Sequence, residues 1–357
     1  MNKRLQKARK LIKEKNLDAI IIVGRPNTIY NSGFTGSTSV LLIGLEKAWL
    51  VVDFRYTIQA KEQAFEGIEV VEQQESFYKT INGLISDNSI GNIGFEGNVL
   101  TFSEYQKMKI SLTKAKSLVN LEGSIDMLRL IKDSEEIECI QQAVLLGDRV
   151  FDHIVKFIKP GMKETEVAAE IEYMMKKLGA RGPSFETIVA AGHRSAMCHG
   201  TATDNIIKAG DAVVLDFGLI YRNYCSDMTR TIFIGEPDKE LKKIYDIVRK
   251  AQEAALSGIV SGMKASDADK IARDIITEAG FGDAFGHSLG HGVGVEIHEE
   301  PRLSAKSEDI LTDGMVFSVE PGIYVEGLGG VRIEDMVVLE GGRPRNFTTS
   351  IKDMIIV

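Results

Sequence analysis

Along the first part of the chain the apolar positions change period. Leu5, Ala8, Leu11 and Ile12 recur at helical spacing ahead of Asn16, and DAIIIVG (Asp18 to Gly24) is then an unbroken apolar run of strand length. Apolar runs at Ser39 to Ile43, Trp49 to Val52 and Ile68 to Val71 predict further strands, with helical patterns near Tyr56 to Phe65 and Ser103 to Lys109. Strands and helices alternating in this way predict an α/β domain over residues 1–124. Within it GFTGS (Gly33 to Ser37) lacks the lysine and the glycine spacing of a phosphate loop and reads as a turn.

A second domain is expected over residues 125–357. In LRLIKDSEEIECIQQA (Leu128 to Ala143), Asp133 and Glu136 have the spacing of a capping box at the start of a long helix. Further on, GMKETEVAAEIEYMMKKLG (Gly161 to Gly179) aligns without gaps on GMKASDADKIARDIITEAG (Gly262 to Gly280). Each copy opens with Gly-Met-Lys and offers Thr165 or Ser266 as an N-cap. An acid follows (Glu166, Asp267), and a glycine suited to a left-handed C-cap closes the copy. The repetition predicts an α+β domain with an internal, pseudo-two-fold duplication.

Strands follow each copy. DAVVLDFG (Asp211 to Gly218) and YCSDMTRTIFIG (Tyr224 to Gly235) predict a hairpin in the first half; GMVFSVEPG (Gly314 to Gly322) and GVRIEDMVVLE (Gly330 to Glu340) predict one in the second. Each carries two acids in apolar surroundings: Asp216 and Asp227, then Glu320 and Glu334. A buried, ionised and unpaired carboxylate costs several kcal/mol, so each needs a positive partner. Basic residues in these strands are few, chiefly Arg230 and Arg332, and divalent cations are the economical way to neutralise four acids. Two M²⁺ ions balance them in formal charge, and one histidine completes an oxygen-rich ligand set suited to Mn²⁺ or Co²⁺, with Fe²⁺ and Zn²⁺ also admissible. Such a pair of ions lowers the pKa of a bridging water and polarises a carbonyl, which is the equipment for amide hydrolysis.

A source for the histidine is FGHSLGHGVGVEIHEEP (Phe285 to Pro301), which holds His287, His291 and His298, half of the chain's six histidines, among glycines that let the backbone approach a ligand.

Composition narrows the class further. A chain of 357 residues exceeds what one core usually serves, and 44% apolar with 26% charged residues is ordinary for a soluble globular protein. A net charge of -8 with interspersed signs argues against a nucleic-acid surface and for small substrates. Cys139, Cys198 and Cys225 are odd in number and never spaced as CxxC, which indicates neither a disulfide framework nor a thiolate zinc site and fits a reducing cytosol. The charged amino terminus does not read as a signal peptide, and no apolar run approaches bilayer length, so a cytoplasmic protein without a membrane partner is expected.

Taken together, LRLIKDSEEIECI, GPSFETIVAAGHRSAMCHG (Gly182 to Gly200), DFG with the second aspartate, GHG, VEPGIY and RIED resemble the prolidase and aminopeptidase P family of pita-bread metallopeptidases, over essentially the whole chain. Relatives of that family include methionine aminopeptidase and creatinase. The resemblance implies a creatinase/prolidase-like amino-terminal domain and a pita-bread catalytic domain holding two metal ions. Asp216, Asp227, His291, Glu320 and Glu334 are its implied ligands, with Asp227 and Glu334 bridging. It further implies that Glu320 shuttles a proton from the metal-bridging water, that His199 and His298 stabilise the tetrahedral intermediate, and that His287 lines the substrate pocket. Arg302 is implied to bind a substrate carboxylate and Arg332 to orient ligand carboxylates. The implied activity is hydrolysis of the bond between an amino-terminal residue and proline, in dipeptides or longer peptides, by a homodimer. Phe54 departs from the family pattern, where a glycine is common.

Other readings of the same fold are a methionine aminopeptidase, a metal-free hydrolase such as creatinase, and a binding protein. His287 and the amino-terminal domain argue against the first, and intact residues at all five ligand positions against the other two.

Overall fold

The computed structural model describes residues 2–357. The chain divides between Arg129 and Leu130 into two compact units. In the first, six strands form one sheet: β1 (Ala19–Ile22), β2 (Ser39–Gly44), β3 (Ala48–Val52), β4 (Glu69–Glu72), β5 (Asn92–Phe95) and β6 (Ser117–Asn120), in the order β4-β3-β2-β1-β5-β6. Pairing is antiparallel for β1–β2 and β2–β3 and parallel elsewhere. Successive residues of the central strands enter opposite cores, which is why these strands read as unbroken apolar runs. Ile20, Ile22, Leu41 and Leu50 pack with Leu5, Ala8 and Ile12 of α1 (Lys3–Glu14), whereas Ile21, Leu42, Trp49 and Val51 pack on the other face. That second face is covered by Ile81 and Ile85 of α4 and Met108 of α5.

Four more helices complete the unit: α2 (Arg25–Ser32), α3 (Thr57–Gln63), α4 (Phe77–Asp87) and α5 (Phe102–Ser111). The GFTGS stretch begins as the left-handed C-cap of α2, with Gly33 at φ 79°. Leu121 and Ile125 are buried in the first core and carry this unit a few residues past position 124. Phe54 opens a short 3-10 turn capped by the Asp53 carboxylate and is 76% exposed.

The second unit is one succession of elements used twice. The first half runs α6 (Ser134–Phe157), α7 (Glu164–Lys177), β7 (Gly182–Pro183), β8 (Ile188–Ala191), β9 (Ala212–Asp216), the hairpin β10 (Leu219–Tyr221) and β11 (Tyr224–Cys225), then β12 (Thr229–Phe233). The second runs α8 (Lys239–Gly258), α9 (Ala265–Glu278), β13 (Gly290–Gly292), β14 (Glu299–Leu303), β15 (Val316–Val319), the hairpin β16 (Gly322–Val325) and β17 (Gly329–Arg332), then β18 (Asp335–Glu340) and β19 (Arg343–Asn346). β20 (Ile355–Ile356) returns beside β12, giving sheets ordered β20-β12-β9-β8 and β14-β13-β15-β18-β19. The predicted hairpins are therefore the antiparallel pairs β9–β12 and β15–β18, each with a smaller hairpin inserted between its strands.

The capping box at Asp133 and Glu136 starts α6 as its spacing predicts. Gly179 and Gly280 follow α7 and α9 with φ 93° and 88°, the left-handed turn their positions require. The N-caps differ from expectation. Lys163 and Lys264 take the cap position, and Thr165 and Ser266 lie inside the first turn. Matching isolated bridges, Lys163 with Ile206 and Lys264 with Ile310, hold each lysine extended, so helical geometry begins at the next residue. No helix among the described residues is long and apolar enough to cross a membrane.

Candidate metal centre

The four acids converge because the first half's β12 runs beside the segment that leads into β18. Glu334 N–H donates to Thr229 O (3.1 Å), and Arg332 and Thr231 exchange bonds through the Thr231 hydroxyl. This brings the end of β9 (Asp216), the approach to β12 (Asp227), the residue after β15 (Glu320) and the residue before β18 (Glu334) to one place. Asp216, Asp227 and Glu334 are all buried.

His291 reaches the same place from β13. Gly290 and Gly292 on either side are required by close packing: a Cβ would lie 2.0 Å from Ser318 O at the first and 2.1 Å from Glu300 O at the second. The imidazole lies with Nδ1 3.1 Å from Gly292 O, so Nδ1 carries the proton and donates. Nε2 therefore presents a lone pair, yet it faces Asp227 Oδ2 at 3.5 Å and Glu320 Oε1 at 3.4 Å. Burial lowers the His291 pKa, so a second ring proton is not the remedy.

Few fixed cations serve this cluster. Arg332 binds Asp216 through Nη2 and Thr229 Oγ1 through Nε (3.0 Å), and the Thr229 hydroxyl in turn donates to Glu334 Oε2 (2.7 Å). Arg230, the other basic candidate, is directed away: it pairs with Asp335 (2.8 Å) and with main-chain carbonyls. Asp227 Oδ1 and Glu334 Oε1 are buried and have no hydrogen-bond partner. Burial, followed by repulsion from the neighbouring acids, pushes both carboxyls well above the usual range, and burial raises Glu320 as well. Donor atoms of Asp227, His291 and Glu334 all lie within 4.8 Å of one another. An imidazole lone pair facing the carboxylates of Asp227 and Glu320, beside orphaned oxygens of Asp227 and Glu334, is the donor set of a divalent cation, so these residues fit bound divalent metal.

The remaining predicted residues surround this cluster at different depths. His298 stacks edge-on against His291, with centroids 4.4 Å apart, but remains exposed. What burial it has, with the nearby His291, Arg302 and His199, lowers its pKa. His199 is exposed on the loop after β8. Arg302 is paired in register with His291 across β13–β14; its side chain is exposed and makes no ion pair with Glu299 or Glu300, Glu299 being bound instead by Lys132 (3.1 Å). His287 lies with Nδ1 2.8 Å from Ser288 O and Nε2 2.9 Å from the Tyr324 hydroxyl. Tyr324 also accepts from Arg332 Nη1 (2.7 Å), and so joins the His287 ring to the arginine on Asp216. Tyr324, Thr229 and Ser318, whose hydroxyl donates to Glu320 Oε1 (3.0 Å), have no counterpart among the sequence candidates. Tyr324 alone had a local signal, as a polar-tipped aromatic four residues after Glu320.

Such a centre, on duplicated α+β halves, defines a metal-dependent hydrolase of pita-bread architecture. The chain belongs to Metallopeptidase family M24, which matches residues 138–340, and residues 4–131 match the Creatinase/Prolidase N-terminal domain. The family implies bound divalent metal ions. Among solved structures, the Xaa-Pro dipeptidase from Bacillus anthracis is similar at 42% identity, with a TM-score of 0.96 over 99% of both chains. The X-Pro aminopeptidase from Thermotoga maritima is similar at 40% and 0.93, again over 99% of both. An Xaa-Pro dipeptidase of Pyrococcus furiosus is 39% identical across 99% of this chain and 100% of its own.

Proposed function

We propose that this chain is a cytosolic binuclear metallo-exopeptidase that hydrolyses the bond between an amino-terminal residue and proline, with Asp216, Asp227, His291, Glu320 and Glu334 as metal ligands. The observation that carries the metal site is the His291 lone pair facing two carboxylates beside the orphaned oxygens of Asp227 and Glu334. The oxygen-rich set favours Mn²⁺ or Co²⁺. The choice of substrate rests on similarity to proteins named Xaa-Pro dipeptidase and X-Pro aminopeptidase. The homodimer expected from sequence is retained with the same reading.

When bound, the ions lower the pKa of a water and polarise the scissile carbonyl. The protein's own groups do the rest. Glu320, its pKa raised by burial, is suited to take a proton from the attacking water and deliver it to the leaving nitrogen. His298 and His199 stand on the solvent side of the cluster, where N–H donors meet the charge that develops on the carbonyl oxygen. Thr229 and Arg332 fix the directions of Glu334 and Asp216. Arg302, with no acidic neighbour bound to it, is placed to grip a dipeptide's carboxylate. A proline nitrogen carries no N–H, so a pocket shaped for its ring needs no acceptor there.

Steady-state comparison of Ala-Pro, Ala-Pro-Ala and Ala-Ala tests this reading. Cleavage of the proline peptides with Ala-Ala at least about tenfold lower in kcat/KM is expected, a difference of about 1.4 kcal/mol in transition-state binding. Equal values for Ala-Pro and Ala-Ala indicate a general aminopeptidase instead.

A further inference from the structure

The loop between α9 and β13 carries His287, and it is held by an ion pair that lies outside the metal centre. Asp269 and Arg273 are one turn apart on α9 and meet through two bonds, Arg273 Nε to Asp269 Oδ2 (2.6 Å) and Nη2 to Oδ1 (2.9 Å). The Asp269 side chain is 1% exposed. The rest of the pair's hydrogen-bonding capacity goes to alternate residues of the loop. Arg273 donates to Phe285 O (2.8 Å) and to His287 O (2.8 Å), and Asp269 accepts from Leu289 N–H (2.9 Å). The guanidinium also lies over the Phe285 ring at 4.2 Å, and that ring meets the His287 imidazole edge-on at 5.0 Å. The backbone at His287, two residues before it and two after it, is thus fixed by one ion pair, and the ring is wedged from the same side.

The same device recurs in the first half. Glu164, fully buried on α7, pairs with Arg194 and accepts from Ala191 N–H and Thr203 N–H, while Arg194 donates to Thr201 O. Those contacts bracket His199.

We propose that Asp269 and Arg273 are positioning residues that set where the His287 imidazole stands in the substrate pocket, and through it the affinity for the proline side of the substrate. This rests on the reading that His287 faces substrate. Four of the five guanidinium N–H groups are engaged by Asp269 and the two carbonyls. Loss of the fork releases the Phe285 ring and the His287 backbone and leaves the imidazole held by Ser288 and Tyr324 alone, whereas His291 and Glu334 are held by other contacts. The signature is therefore in KM rather than in kcat or metal content.

The experiment compares Arg273→Met, Arg273→Lys and His287→Ala, alone and as the Arg273→Met/His287→Ala double variant, in the full-length, Mn²⁺-loaded protein. Arg273→Met is expected to raise KM for Ala-Pro about tenfold while kcat stays within about threefold, and to add less than about twofold once His287 is alanine. Arg273→Lys recovers part of the loss, since an ammonium cannot span both carbonyls and the carboxylate. Independent, additive effects of the two substitutions, or a fall in kcat accompanied by metal loss, overturn the proposal. A second readout needs no turnover. In ¹⁵N-histidine-labelled protein loaded with diamagnetic Zn²⁺ in place of Mn²⁺, the His287 ring resonances, identified by their absence in His287→Ala, should shift in Arg273→Met and move back toward wild type in Arg273→Lys; unchanged resonances overturn the positioning role. Absence of Ala-Pro cleavage by the wild type removes the proposed activity, and the resonances still decide this inference. Should Arg273→Met not fold, Arg273→Lys carries both readouts.

Discussion

Asp216 ends β9 and Asp227 leads into β12 in the first half of the catalytic unit, as Glu320 follows β15 and Glu334 leads into β18 in the second. The backbone device is the same, and so is the formal charge. The third strand of each sheet is where the halves part. In the second half His291 donates its N–H to Ser318, two residues before Glu320; in the first, Ala190 faces Val214, two residues before Asp216. A second asymmetry follows. Asp216 is neutralised by a fixed guanidinium, whereas Glu320 faces an imidazole lone pair and a serine hydroxyl. Duplication thus supplies a symmetric cage of carboxylates, and one imidazole with one arginine makes its two ends chemically different.

The comparison breaks most directly at the shared acids. Asp227→Asn and Glu334→Gln each remove a charge that the proposed ligand set shares between both ends, and should lower kcat/KM by more than about 100-fold and release metal on dialysis. Either variant retaining full activity contradicts the shared-ligand picture. The asymmetry is sharpened by two milder changes. Arg332→Lys keeps the charge but not the fork that meets Asp216, Thr229 and Tyr324, and should cost about 10- to 100-fold in activity or metal affinity. His291→Ala should weaken retention of one metal equivalent more than the other. Equal loss of both would mean that the imidazole does not distinguish the ends.

A smaller effect is expected at Arg302. Arg302→Ala should raise KM for Ala-Pro by about tenfold and change Ala-Pro-Ala much less, because the longer peptide carries its carboxylate elsewhere. An equal effect on both substrates removes its proposed role.

A last effect is read in stability rather than in activity, through its dependence on pH. In the chelated protein the raised pKa values of Asp227, Glu334 and Glu320 favour folding fully below the ordinary carboxylate range, and that contribution is lost as pH rises through their folded values. The lowered His287, His291 and His298 act the other way: their contribution is present above the ordinary imidazole pKa and is lost as pH falls through the folded values. A bound cation competes with protons at the proposed ligands among them, Asp227, Glu334, Glu320 and His291. The stabilisation of Mn²⁺-loaded over chelated protein, followed by Tm, should therefore widen from about pH 5 to about pH 8, reaching about 3 kcal/mol when metal exceeds its Kd 100-fold. A gap that narrows over this range contradicts the assignment of these groups to the metal.

Much of this was legible in the sequence because it is local. The strands of the first sheet are apolar on both faces, the repeated helix is bracketed by glycines that must turn left-handed, and four acids interrupt strands that otherwise bury. What escaped depends on distant pairs. Arg332 and Asp216 are 116 positions apart, and Thr229 and Glu334 are 105 apart, so no periodicity announces either bond. Arg230 and Arg332 have similar strand contexts, yet one is taken by Asp335 and the other serves the metal centre. The N-caps at Thr165 and Ser266 followed propensity, and an isolated bridge to a remote residue, Ile206 or Ile310, moved the helix start to Glu164 and Ala265. Asp269 and Arg273 have the spacing of an ordinary i,i+4 pair, and nothing local to them announces the loop they grip.

In the proposed centre two divalent cations complete a cluster of four carboxylates and one imidazole. Elemental analysis of the purified protein, before and after exhaustive chelation and after re-addition of Mn²⁺ or Co²⁺, with Ala-Pro hydrolysis followed on the same samples, tests it most directly. The account predicts about two equivalents per chain in the loaded form, activity that disappears on chelation, and its return as the second equivalent binds. Full activity in protein stripped of metal would contradict it.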